Sequence, residues 1–155
     1  MLTLKNNLVS FIHFFYKLAF NWSIEYFSLN NCSYTLVMEL TDKNYETIIK
    51  NQEQPVFIDF YSPTCGPCQI LTKLIDEKLE AYGKENNIKV VKCNIRENPK
   101  LAEAFKIRSV PFTLVVMPDE KLKYAEIGLK HENYYFELID KLAGKKVSFF
   151  SRFFG

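Results

Sequence analysis

Apolar side chains crowd the run Pro55-Val56-Phe57-Ile58-Asp59-Phe60-Tyr61, which opens on a proline. A run this short and this continuously apolar reads as a strand buried on both faces. After residue 65 the period changes: Cys68, Leu71, Leu74, Ile75, Leu79 and Tyr82 fall three or four apart, and Gly83 follows as a stop signal. That spacing predicts an amphipathic helix with a glycine end. Upstream, Tyr45, Ile48 and Ile49 mark a first helix. Downstream, Ile88-Lys89-Val90-Val91 begins a strand, and Asn98-Pro99 opens a helix carrying Leu101, Ala104 and Phe105, with Asn98 as N-cap and Pro99 at the first helical position. Phe112-Thr113-Leu114-Val115-Val116-Met117 is a second apolar strand. The turn Pro118-Asp119-Glu120-Lys121 folds it back on a partner that ends at Gly128. Tyr135, Leu138, Ile139 and Leu142 give a last helix, stopped by Gly144.

Strands that alternate with helices before a terminal hairpin and helix predict an α/β sandwich, a mixed central sheet covered on both faces. About a hundred residues suffice for one such core. No internal repeat or second domain is visible.

Composition changes this picture little. Twenty Lys and Arg against 18 Asp and Glu give a net charge of +2, and the interspersed signs leave no electrostatic footprint for nucleic acid. Four cysteines are too few for a disulfide scaffold in a domain of this size. Two of them carry the candidate chemistry, in Cys65-Gly66-Pro67-Cys68. Cysteines at this spacing can close into a small disulfide ring and reopen, and Gly66 and Pro67 suit the tight turn this needs. Structural zinc sites share the spacing but need four ligands. The other candidates, Cys32, Cys93, His13 and His131, stand isolated, so redox chemistry is the stronger reading.

The pair lies where a strand gives way to a helix N-terminus. Unpaired backbone N–H groups and the positive end of the helix dipole favour a thiolate there. Cys65, the outer cysteine, gains most and is the expected nucleophile, with a pKa lowered from ~8.5 toward ~7. Cys68, one turn into the helix, is the expected resolving thiol and the more buried of the two.

From these residues the chain resembles the thioredoxin family. The resemblance spans residues 38–144 and rests on an ordered set of motifs: Leu40-Thr41-Asp42, Phe57-Ile58-Asp59-Phe60-Tyr61, Cys65-Gly66-Pro67-Cys68, Lys92-Cys93-Asn94-Ile95, Ile107-Arg108-Ser109-Val110-Pro111 and Gly128. It implies a thioredoxin fold, three layers α/β/α around a mixed sheet. Asp59, a carboxylate in an apolar strand where burial raises its pKa, matches the family acid that lies beneath the disulfide and helps deprotonate the resolving cysteine. Lys92 matches a lysine beside that acid, although a solvated strand lysine fits the spacing equally well. Pro111 matches a cis proline that faces the disulfide, and the carbonyl beside it at Val110 pairs with an extended substrate segment. Thr64, Val110, Pro111 and Gly128 are the expected substrate-binding positions.

Several positions depart from the family pattern. Thr64 and Tyr61 replace tryptophans, so no tryptophan remains in residues 38–144; Trp22 lies upstream. A small hydroxyl beside Cys65 takes a large apolar contact from the docking surface, which is expected to redirect partner choice more than thiol chemistry. Lys73 replaces a proline that kinks the helix, which predicts a straighter one, and the turn at 118–121 lacks the usual glycine. Cys93 reads most simply as a buried apolar thiol, and His131 as a surface residue.

The ends read differently. Residues 1–37 are rich in Phe, Tyr and Leu, and residues 8–20 resemble a signal-peptide core interrupted by His13 and Lys17. His13, Lys17, Asn21 and Glu25 recur every four residues, a narrow polar stripe that suits a membrane-surface helix or an organellar presequence. A mis-assigned start ahead of Met38 is the competing explanation. Residues 145–155 read as a tail, an extra helical turn or a disordered end.

The resemblance implies a thiol–disulfide oxidoreductase that reduces protein disulfides through a Cys65–Cys68 cycle, binding no cofactor beyond that redox-active disulfide. Its expected partners are disulfide-containing proteins and a thioredoxin-reductase-type recycling enzyme, with no nucleic acid. The expected chain is a monomer, cytoplasmic, with membrane contact only through residues 1–37; those residues leave an organellar or secretory location open. A disulfide oxidase or isomerase in a secretory compartment and a binding subunit of a larger complex are the alternatives.

Overall fold

The computed structural model describes residues 37–145; the expectations for residues 1–36 and for 146–155 lie outside them. Strands β1 (Met38–Glu39), β2 (Val56–Tyr61), β3 (Lys89–Asn94), β4 (Phe112–Val116) and β5 (Leu122–Ile127) form one sheet in the order β1-β3-β2-β4-β5. β1, β3 and β2 run parallel, and β4 and β5 pair antiparallel. The helices are α1 (Glu46–Lys50), a single π-wound turn, then α2 (Gly66–Leu74), α3 (Glu80–Glu85), α4 (Pro99–Ala104) and α5 (Glu132–Leu142).

β2 is the middle strand, and the two-residue period of its apolar run splits the core in two. Val56, Ile58 and Phe60 pack with Leu40, Ile48, Ile49 and Leu101, under α1 and α4. Phe57 packs on the opposite face with Leu71, Ile75, Leu79, Tyr135, Leu138 and Ile139, under α2 and α5. Asp59 follows Phe57 in that period, so its carboxylate enters the layer that carries α2. This is a mixed sheet flanked by helices, the thioredoxin fold.

The helix after Cys65 differs from its sequence pattern in two ways. The backbone stays α-helical past Lys73 to Leu74, then widens to π winding over Ile75–Leu79 before α3 resumes. Gly83 does not stop it. It lies inside α3, which continues to Glu85, and the turn after it is closed by the Ile88 N–H donating to the Gly83 carbonyl at 2.8 Å. Gly83 is there for a close approach: a Cβ would lie 2.5 Å from Val90 Cγ2 and 2.9 Å from the Ile88 carbonyl oxygen. The expected result of Gly83→Ala is a net loss of about 1–2 kcal/mol, overpacking against backbone outweighing the gain in helix propensity. Urea midpoints check it; an unchanged or higher midpoint would contradict the close-approach account.

Asn98 occupies the N-cap position of α4, but its side chain makes no cap bond. It accepts from the Asp42 N–H at 3.0 Å and donates to the Asn94 carbonyl at 3.1 Å. The orphan N–H of Leu101 is taken instead by Asp42 Oδ1 at 3.0 Å. A residue 59 positions upstream therefore caps this helix and ties it to the segment leaving β1. In the hairpin turn Glu120 adopts a left-handed conformation, φ 61°, the position where a glycine would be less strained.

Candidate active site

Cys65 ends the loop after β2 in extended conformation (φ −93°, ψ 111°) and caps α2, its sulfur accepting the Cys68 N–H at 3.2 Å. The Cys65 N–H donates to the Ser62 carbonyl at 3.0 Å, which folds the loop under the first cysteine. Pro67, in the first helical turn, has no N–H to leave unpaired. Cys65 and Cys68 are joined in a disulfide with Cα atoms 5.2 Å apart. Cys65 is part-exposed and Cys68 fully buried, so an incoming sulfur reaches Cys65 first.

One of the expected substrate-binding positions, Val110, lies at this disulfide, and two more, Pro111 and Gly128, are tied to it through the backbone. The Val110–Pro111 bond is cis, and the Val110 carbonyl oxygen lies 3.7 Å from Cys65 Sγ. The Pro111 carbonyl accepts the Gly128 N–H at 2.8 Å, with Gly128 at φ +82°, so the β5 end is tied to the proline loop. The fourth, Thr64, is exposed beside Cys65, where its Oγ1 lies 3.3 Å from Ser62 Oγ and accepts from Arg96 Nη2 at 2.7 Å.

Asp59 is fully buried, and neither carboxylate oxygen has a hydrogen-bond partner among the described residues. Burial pushes its pKa up from 3.8 to about 7; the Lys92 charge opposes this, and Glu39 and Asp76 add to it. Lys92 lies beside Asp59 in the parallel register of β2 and β3. Its ammonium, however, bonds Asp76 Oδ1 at 2.7 Å, so the direct partner of Lys92 is Asp76 and Asp59 feels it only through space. Tyr61 donates its hydroxyl to Glu39 Oε1 at 3.1 Å, and burial pushes the Glu39 carboxyl up. The site's buried acid is thus set among two further carboxylates and one committed cation.

The family model for thioredoxin matches residues 36–141. The chain belongs to the thioredoxin family. It is 37% identical to the thioredoxin of Rickettsia felis over 103 residues, 66% of this chain and 94% of that one. To the thioredoxin of Pyropia yezoensis it is 37% identical over 86 residues, 56% of this chain and 78% of the relative. A chain from a solved structure on thiol resolution in a yeast mitochondrial 1-Cys peroxiredoxin via glutathione/thioredoxin systems superposes with a TM-score of 0.59 at 27% identity, covering 71% of this chain and 99% of that one. Family and cysteine pair together make this chain a thiol–disulfide oxidoreductase, acting on protein disulfides by dithiol–disulfide exchange.

In this thioredoxin-family chain Cys93 is the free cysteine among the described residues; it is buried, and burial pushes its thiol up to about 12. It is therefore almost wholly protonated near neutral pH and a poor nucleophile. His131 is exposed at the start of α5 without a side-chain cap bond. Among the described residues no cluster of His, Cys, Asp and Glu is placed to hold a metal, and no helix is long and apolar enough to cross a membrane. Asp76, Glu39 and Arg96 are the site residues that the sequence pattern does not announce. Each matters through a contact distant in the chain.

Proposed function

We propose that the chain is a protein-disulfide reductase in which Cys65 is the nucleophile, Cys68 the resolving thiol and Asp59 the base. The Cys65 thiolate attacks one sulfur of a substrate disulfide, forming a mixed disulfide and releasing the other substrate sulfur as a thiolate. Asp59 takes the Cys68 proton. The Cys68 thiolate then attacks Cys65 Sγ, closing Cys65–Cys68 and expelling the second substrate thiolate. Two electrons pass to the substrate, and the protons that the dithiol gives up go to the two substrate thiolates. Val110, Pro111, Gly128 and Thr64 line the substrate's approach, the Val110 carbonyl offering an acceptor to an extended segment.

The single observation that carries this reading is a surface-accessible cysteine capping a helix, bonded to a buried one, in the chain whose central strand buries an unpartnered carboxylate. The domain needs no bound cofactor, because the sulfurs hold the electrons between encounters. A thioredoxin-reductase-type flavoprotein using NADPH recharges the pair, the working form is a monomer, and the compartment is a reducing one of cytosolic type. The Gly66-Pro67 spacer supports the reducing direction, since relatives that oxidise or isomerise disulfides more often carry a histidine there.

The test is coupled turnover of the whole chain with NADPH, a thioredoxin-reductase-type flavoprotein and a protein disulfide. The expected result is one NADPH consumed per disulfide reduced. Reactivation of a scrambled-disulfide protein without net NADPH consumption would replace the reductase with an isomerase.

A further inference from the structure

Arg96 is the side chain at the active site to which the dithiol cycle gives no task. It sits on a turn over residues 95–97 that follows β3. The buried Asn94 side chain builds that turn: Oδ1 accepts the Arg96 N–H at 3.1 Å, and Nδ2 donates to Glu97 Oε1 at 2.8 Å. Asn94 thereby engages the carboxylate of Glu97, the residue that follows Arg96 in sequence. The Arg96 guanidinium turns instead to Thr64, donating from Nη2 to Oγ1 at 2.7 Å. Arg96 is exposed, and none of the ion pairs among the described residues includes it.

Thr64 immediately precedes the nucleophile, so the hydroxyl holds a planar cation, outside every ion pair among the described residues, at the residue next to the sulfur that substrates must approach. A guanidinium has five N–H donors in a fixed fork that matches a carboxylate bidentately. One of the five is committed to Thr64, and among the described residues the guanidinium takes no carboxylate partner. Exposed ion pairs are usually weak because two long side chains must be ordered to form them. Here the hydrogen bond to Thr64 and the Asn94-built turn have already ordered the arginine. A docked substrate also excludes water from the pair, which strengthens it.

We propose that Arg96 is a specificity-determining residue: held on Thr64, it receives the carboxylate of a Glu or Asp next to the substrate half-cystine that Cys65 attacks. The substrate class is therefore protein disulfides with an acidic flank. Thr64 offers a hydroxyl where a large apolar side chain would offer area, so charge takes over part of the choice of partner. The inference rests on the disulfide-reductase reading above. Arg108 is a second exposed arginine, without a carboxylate partner among the described residues, two residues before Val110, and it is the competing source of any such preference.

The experiment compares kcat/KM for two disulfide-linked peptides that differ only in Glu or Gln beside the reacting cysteine. The whole chain is used at low and at high salt. The expected preference for the Glu peptide is about 3–10-fold at low salt, collapsing at high salt as the exposed charges are screened. Arg96→Gln is expected to bring the ratio below about 2-fold, and Arg96→Glu to invert it. Equal turnover of the two peptides by the unaltered chain overturns the inference and leaves the reductase reading intact. So does a preference that survives Arg96→Gln but is lost in Arg108→Gln. No turnover of either peptide overturns both.

Discussion

Asp59→Asn is expected to stabilise the oxidised protein above neutral pH while slowing its chemistry. The folded pKa of Asp59, about 7, lies above its ordinary 3.8. Between those values the folded chain binds a proton that the unfolded chain has released, so stability falls as pH rises through the window. Below about pH 4 both states are protonated and the residue contributes nothing to the slope. At 1.36 kcal/mol per tenfold change in proton concentration, the interval from 3.8 to about 7 is worth about 4 kcal/mol. Asparagine has no proton to lose. The stability of Asp59→Asn minus that of the unaltered chain should therefore climb by about 4 kcal/mol between about pH 4 and pH 8. Urea midpoints across that range measure it, and parallel curves for the two proteins would contradict the buried, unpartnered carboxylate. With Asp59 as the proposed base for Cys68, closure of Cys65–Cys68 on a mixed disulfide should slow in the same variant on the order of 10–100-fold near neutral pH.

The cysteine variants divide the reaction into its two halves. Cys65→Ser replaces the accessible nucleophile by a hydroxyl that stays protonated at neutral pH, and disulfide reduction should fall by roughly 10³-fold or more. Cys93 cannot substitute, being buried with its thiol pushed up to about 12. Cys68→Ser leaves the first attack intact and removes the second. The expected product is a stable mixed disulfide between Cys65 and the substrate, one per chain, visible as a mass increase and released by excess dithiothreitol. The asymmetry follows from burial: Cys65 is part-exposed and Cys68 fully buried. A trapped adduct in Cys65→Ser, with none in Cys68→Ser, would reverse the two roles.

What could be read from the sequence is what local pattern encodes. The β2 run showed a strand because it is buried on both faces, and the period change after Cys65 showed a helix because one stripe of it is core. The cysteine pair was visible as a dithiol for the same local reason, lying at the junction of those two patterns. β1 was not visible: it is two residues long, too short for any period. The π winding over Ile75–Leu79 leaves the apolar positions three or four apart, so spacing alone does not reveal it. Gly83 read as a helix end because glycine signals that locally, whereas the reason for it is Val90, on the next strand. Asp42 capping α4, Asp76 holding Lys92 and Arg96 reaching Thr64 are contacts between residues 16 to 59 positions apart. No periodicity marks such pairs, and only the folded sheet and its loops bring them together.

The most direct test of the central claim is the reduction potential of the Cys65–Cys68 pair in the whole chain, measured by equilibration with a dithiol buffer of known potential. A value near the thioredoxin level of about −270 mV is the expected result and places the chain as a disulfide reductant. A value between about −180 and −120 mV would make it an oxidant or isomerase and contradict the account.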